Sequence, residues 1–101
     1  IFTSPTQPTI SELEWFRFTI CRVRNLNGIP LIVSRTGYTG ELGFELWCHP
    51  SDAPKVWDEV MDAGKNHGLT PAGFGALDLL RIEAGLILFV DNVLILNYCY
   101  R

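Results

Sequence analysis

Two strand-forming runs with Asn-Gly between them constrain this chain more than any other feature. In "WFRFTICRV", residues 15–23, Phe16, Phe18 and Ile20 alternate with Arg17, Thr19 and Cys21. A period of two in strong strand formers is the pattern of a β-strand. "IPLIVS", residues 29–34, an almost wholly apolar run, gives a second strand. Asn27 and Gly28 lie between them, and both tolerate the positive φ that a type I′ turn requires. The pattern predicts an antiparallel hairpin turning at Asn27-Gly28.

A third run, "GFELWCH", alternates again: Phe44, Leu46 and Cys48 fall on one face, Glu45, Trp47 and His49 on the other. The first set suits a core. The second sets a carboxylate beside an indole, an arrangement that lines a pocket or meets solvent. From Ser51 to His67 the period becomes helical. Ser51 or Asp52 can cap, Pro54 suits a first turn, and Gly68 stops the run. Val56, Trp57, Val60 and Met61 form the stripe expected in the core. A second helix is expected from about Phe74 to Ala84, with Leu77, Leu80 and Ala84 on one face and Gly85 at its end. Asp78 and Arg81 lie three apart and can touch. Near the C-terminus, "LILFV" and "VLIL" read as strands around Asp91-Asn92. Strands followed by helices predict an α+β fold, an antiparallel sheet with a β-hairpin packed by two helices.

With 101 residues, 48% of them hydrophobic, the chain supports one domain at most. Residues 1–14, rich in Thr, Ser and Pro, read as a linker or incomplete start, and residues 91–101 as an apolar tail. A chain that begins with Ile and ends in a hydrophobic run is expected to be a piece of a longer one. A net charge of −3 with eight scattered Lys and Arg gives no footprint for nucleic acid and no basic amphipathic helix for a membrane surface. The C-terminal run is interrupted by Asp91, Asn92 and Asn97, short of the ~20 apolar residues of a membrane helix. The first ten residues lack the basic and apolar regions of a signal peptide. Cys21, Cys48 and Cys99 form no Cys-x-x-Cys pair, which fits reduced thiols in a cytosol-like compartment. His49 and His67 lack ligand spacing with these cysteines, so no metal site is expected.

The stretch "SRTGYTGELGFEL", residues 34–46, spaces Gly37, Gly40 and Gly43 by three. It matches neither the Walker A loop nor the dinucleotide fingerprint, contains no Lys, and leads into a strand. A phosphate cradle is therefore not expected, and a loop between strands is the plain alternative. That alternative leaves unexplained why Arg35, Tyr38, Glu41 and Glu45 crowd into eleven residues.

Together with "GLTPAGFGALDLLRIEAGL" some thirty residues later, this stretch closely resembles the folate-binding aminomethyltransferase family. That family includes the T-protein of the glycine cleavage system and the folate domains of dimethylglycine and sarcosine oxidation enzymes. The resemblance covers Val33 to about Leu88 and implies that residues 15–90 are a partial folate-binding domain of the T-protein fold. It implies tetrahydrofolate as cofactor and transfer of a one-carbon unit from an aminomethyl donor. In a glycine cleavage component that donor is carried by a lipoyl carrier protein. It further implies that Tyr38 and Glu45 contact the pterin and its surroundings, that Arg81 reaches into the same pocket, and that Glu83 supports the site. The family's catalytic aspartate has no counterpart here, and neither Asp78 nor Asp91 is given its role, so no catalytic residue is assigned and the piece alone is expected to be inactive. Phe89 and Val90 stand where the family usually has Tyr-Gly. The alternatives are a folate domain of a dimethylglycine or sarcosine oxidase or a demethylase-type protein, and a non-catalytic folate-binding module. The family implies a cytoplasmic location, or the mitochondrial matrix in a eukaryote.

Overall fold

A computed structural model describes residues 1–5 and 8–88. The strands expected from "LILFV" and "VLIL" lie outside the described residues, apart from Leu86–Leu88, which are irregular. The chain divides into two compact units. One comprises Ile1–Gly37 and Leu42–Pro71; the other comprises Tyr38–Glu41 and the chain from Ala72 onward.

The first unit is a four-stranded antiparallel sheet in the order β1-β2-β3-β4, with one helix. The strands are β1 (Phe2–Thr3), β2 (Phe18–Val23), β3 (Pro30–Ser34) and β4 (Glu45–Trp47), and the helix is α1 (Ala53–Gly64). The α+β class and the central hairpin are as the sequence predicts. Phe2–Thr3, inside the stretch read as a linker, pairs with Val23 and Arg22 as an edge strand, and Leu13 is fully buried.

The hairpin turns differently from expectation. Gly28 does not have a positive φ; the left-handed residue is Arg24, at φ 62. Val23 N–H donates to the Ile29 carbonyl at 3.0 Å, and Gly28 N–H donates to the Asn25 carbonyl at 2.9 Å. The connection is thus a five-residue loop rather than a two-residue turn. Asn25 Oδ1 accepts from Asn27 N–H at 2.9 Å, an Asx-type bond that tightens this loop. Glycine is needed at position 28 for space: a Cβ there would collide with the Val23 carbonyl oxygen.

β2 also starts later than its pattern suggests, because Phe16 adopts φ 59. Arg17 N–H closes a tight turn on the Glu14 carbonyl at 3.2 Å, with Phe16 as its third residue. Phe16 N–H donates to the Arg35 carbonyl at 3.1 Å and Arg35 N–H returns to the Arg17 carbonyl at 2.9 Å. Two residues thus oppose one, and the first of them is left-handed, which is a bulge whose first position normally holds glycine.

The pairs Thr19↔Val33 and Cys21↔Leu31, with Val33↔Leu46, define one face of the sheet. That face carries the core: Cys21, Val23, Leu31 and Val33 cluster with Val56 of α1. Small side chains at Thr19 and Cys21 let the helix approach. Burial pushes the Cys21 thiol up from its ordinary pKa, as for an inert core thiol. The opposite face, defined by Ile20↔Ile32↔Trp47 and Phe18↔Ser34↔Glu45, is the more aromatic one and lies open. Phe18 is 63% exposed and Trp47 58%.

α1 begins after a 3-10 turn at Pro50–Asp52. His49 caps that 3-10 turn, its Nδ1 accepting from Ser51 N–H at 3.3 Å, whereas Asp52, at the N-cap of α1 itself, makes no side-chain cap hydrogen bond. Of the stripe expected in the core, Val56 is buried and Val60 and Met61 are half-buried. Trp57 is instead 55% exposed, one position past the contact line that Val56 makes with the sheet.

In the second unit, α2 (Phe74–Glu83) ends with Gly85 N–H on the Ile82 carbonyl and Leu86 N–H on the Arg81 carbonyl, at 3.0 and 2.8 Å. These are the two bonds of a Schellman motif. The described residues hold no helix long and apolar enough to cross a membrane.

Truncation separates the two sheet faces. Leu31→Ala should cost about 2–5 kcal/mol, the usual range for a buried leucine. Ile20→Ala on the open face should cost about 0.5 kcal/mol or less. Urea unfolding of the two variants checks this, and a larger loss for Ile20→Ala would put the wrong face inside.

Candidate functional site

The open face of the sheet bears a groove of about 390 Å³ lined by Phe16, Arg17, Phe18, Ile32, Trp47, Ser34 and Thr36. A second concavity of about 370 Å³ shares Ile32 and Trp47 with it. Aromatic and aliphatic walls with a few convergent polar groups are the usual make-up of a small-molecule site.

The polar groups form a chain of fixed direction. Trp47 Nε1–H donates to Ser34 Oγ at 3.2 Å. Ser34 Oγ and Thr36 Oγ1 are 2.7 Å apart, and Thr36 Oγ1 donates to Glu45 Oε2. A hydroxyl carries one proton. Because Thr36 spends its proton on Glu45, it must accept from Ser34, which in turn accepts from the indole. The row therefore runs Trp47→Ser34→Thr36→Glu45 and ends on a carboxylate, where a hydrogen bond is strongest. Glu45 is half-buried and meets the groove through Thr36, and its Oε1 has no hydrogen-bond partner among the described residues.

The strands create this row. Antiparallel pairing sets Ser34 opposite Glu45 and Ile32 opposite Trp47, so the carboxylate and the indole share one face two residues apart. Glu45 and Trp47 thus lie side by side opposite the core, as the alternation suggests. Phe16, Ser34 and Thr36 were not legible as site residues. Finding them needs the register of β3 against β4, which a ten-residue connection conceals.

Of the glycine stretch, only Gly40 has a left-handed backbone, at φ +73. A Cβ there would also sit 2.5 Å from the Ala84 Cβ, so glycine lets the Tyr38–Glu41 segment meet the end of α2 within the second unit.

Tyr38 and Arg81 belong to the second unit and Glu45 to the first. Tyr38 is 45% exposed, whereas Arg81 is 4% exposed, the one buried residue of α2. Its guanidinium is held by Asp78 Oδ1, at 2.7 Å from Nε and 2.5 Å from Nη2, and Nη1 donates to the Leu86 carbonyl at 3.4 Å. No hydrogen bond joins Tyr38 to Arg81 among the described residues. The Asp78 pairing that three-residue spacing allows is therefore made.

Another groove, of about 490 Å³, lies between the hairpin loop and α1 and includes Arg24, Asn27, Lys55, Asp58 and Glu59 in its lining. Arg24 Nε meets Glu59 Oε2 at 2.6 Å, and that hydrogen bond and charge raise the guanidinium pKa further. This groove has no aromatic wall. Among the described residues no cluster of three or more metal-ligating side chains occurs.

The profile of the family described as GCVT N-terminal domain matches residues 3–93. Over 87 residues the chain is 56% identical to a trimethylamine-oxide aldolase of Ruegeria pomeroyi, covering 86% of the chain and 11% of that protein. It is 46% identical over 84 residues to an aminomethyltransferase of Halalkalibacterium halodurans, and 45% identical over 84 residues to one of a Geobacillus species. Each covers 83% of this chain and 22% of the relative. The chain thus spans a quarter or less of the length of these relatives.

The hydroxyl row has a measurable weight. Thr36→Val keeps the shape and removes the donor to Glu45, a charge-assisted bond of about 1.5–3 kcal/mol. Urea unfolding should show a loss of that order. An unchanged midpoint would mean that Glu45 is served equally well by water.

Proposed function

Because the chain belongs to the GCVT N-terminal domain family, we propose that it forms part of a tetrahydrofolate site in a protein that moves a one-carbon unit off a nitrogen. The observation that carries this reading is the carboxylate-terminated row on an aromatic sheet face. A pterin is a flat ring with an amino-pyrimidinone edge that presents two N–H donors. Glu45 is the acceptor for that edge: Oε1 is without a partner among the described residues, and Oε2, held by Thr36, keeps a further lone pair. Phe18 and Trp47 supply flat walls for the ring. Tyr38 offers a ring and a hydroxyl to the folate surroundings. Arg81, whose Nε and Nη2 are paired with Asp78, is assigned to folate by the family resemblance alone.

The family names of the relatives divide the readings only at the donor. In an aminomethyltransferase, the donor is an aminomethyl group, carried on a lipoyl carrier protein in the glycine cleavage version. The pocket holds folate against that group, so that proximity and orientation carry much of the rate. A carboxylate elsewhere in the whole protein handles the proton. The residues of this chain are assigned binding rather than turnover. A second reading, a folate domain of a demethylase-type protein with a small methylated amine as donor, is favoured by one observation. Identity is 56% to the relative named trimethylamine-oxide aldolase and 46% to the aminomethyltransferase of Halalkalibacterium halodurans.

Calorimetric titration of the chain with 5-formyltetrahydrofolate, a stable reduced folate, tests the shared part. Glu45→Gln should weaken binding by about 10–100-fold, the equivalent of the ~1.5–3 kcal/mol of a charged hydrogen bond. Equal affinity in the variant would remove the carboxylate from the pterin site.

A further inference from the structure

Phe16 holds a backbone conformation that its residue type disfavours, and it does so at the mouth of the groove. Its φ of 59 puts a bulky side chain in the left-handed region, where a Cβ meets the following carbonyl oxygen. The position is doubly one for glycine: third in a tight turn and first in a β-bulge of the glycine type. Strain of this kind persists only where the surrounding structure over-determines it, and it gathers at ligand sites. Phe16 is also 77% exposed, so core packing does not account for its ring.

The surrounding residues form a bracket behind that ring. Trp15 lies against Phe16 with ring centroids 6.4 Å apart and planes tilted by 44°. The Arg35 guanidinium carbon stands 4.9 Å from the Trp15 ring centroid. Arg35 Nη1 in turn donates to the Leu13 carbonyl at 2.8 Å, and Leu13 is fully buried. The bracket thus runs from a buried leucine through a guanidinium and an indole to the exposed phenyl ring. The backbone is tied down as well: Phe16 N–H donates to the Arg35 carbonyl, and Arg35 N–H donates to the carbonyl of Arg17, next in the chain.

We infer that Phe16 is a positioning residue of the ligand groove, held in its left-handed conformation so that its ring forms the end wall against which the flat ligand is seated. Resting on the tetrahydrofolate reading, the inference adds a determinant of affinity that lies outside both glycine-rich motifs. It also predicts a conflict between stability and binding at one residue. Glycine at position 16 relieves the backbone and removes the wall.

Three variants separate the two effects. Phe16→Ala removes the ring and keeps the Cβ, Phe16→Gly removes both, and Phe16→Tyr keeps the ring. Phe16→Gly should unfold on the order of 4–8 °C above Phe16→Ala, the shift that relief of a left-handed Cβ gives in a chain of this size. Elsewhere glycine would be the less stable of the pair, so the sign alone is informative. Both Gly and Ala variants should bind 5-formyltetrahydrofolate about tenfold more weakly, as expected for a lost aromatic contact, while Phe16→Tyr should bind within about twofold of the parent on the same argument. Phe16→Gly no more stable than Phe16→Ala would overturn the strain. Undiminished affinity in both would overturn the wall. The carboxylate assignment fails separately: weaker binding in Phe16→Ala beside unchanged binding in Glu45→Gln keeps the wall and removes Glu45, and the reverse result keeps Glu45 and removes the wall. A parent chain that binds no reduced folate overturns the inference together with the reading it rests on.

Discussion

The contact of Val56 with Cys21, Val23, Leu31 and Val33 is the constraint on which the rest of the first unit depends. A helix can approach a sheet closely only over small side chains, and β2 offers Thr19 and Cys21 on that side. Once α1 occupies that face, alternation forces Phe18, Ile20, Ile32 and Trp47 to the other. Leaving such side chains in water forfeits most of the ~1.5–3 kcal/mol that burying each would contribute. A chain this small loses much of its apolar gain in that way, and a contiguous apolar patch of this kind marks a binding surface. The open face is thus a consequence of where the helix packs.

Polar order on that face comes from the same register. Ser34 and Glu45 are opposite one another, and Thr36, just beyond β3, closes the gap between them. The indole of Trp47 is tied into the row through Ser34, so its ring is fixed as well as exposed. At the other end of the groove, the bulge turns the chain so that Phe16 faces the same space. Aromatic walls beside a hydroxyl row that ends on a carboxylate suit a flat, donor-edged heterocycle better than a flexible apolar tail.

Much of this was legible in the residues, and the failures have physical reasons. The period of two located β2 and β4 and set Glu45 beside Trp47, because alternation is a local property of a pleated strand, and the apolar run after Asn27-Gly28 located β3. The helices were legible from their period and from Pro54, Gly68 and Gly85. Asn27-Gly28 misled, since the glycine serves a close approach to the Val23 carbonyl while the positive φ falls on Arg24. Trp57 misled because a broad helical stripe does not say how far the sheet extends beneath it. Phe16 fits the strand alternation, and nothing local announces a phenylalanine in a glycine conformation. The Ser34–Thr36–Glu45 row depends on register across a long loop. The motif-borne candidates divide between the units, Glu45 in the first and Tyr38 and Arg81 in the second. Arg81 is buried and paired with Asp78, so spacing correctly anticipated an ion pair there, and its partnership with folate rests on the resemblance.

On the proposed function, the sheet face opposite α1 receives the pterin ring. Two-dimensional NMR of the chain during titration with 5-formyltetrahydrofolate tests it most directly. The Trp47 indole N–H and the amides of Phe16, Phe18, Ile32 and Thr36 should shift together, while signals of Cys21 and Val56 on the helix-covered face stay in place. Shifts centred instead on Arg24, Asn27 and Glu59, with Trp47 unmoved, would contradict it.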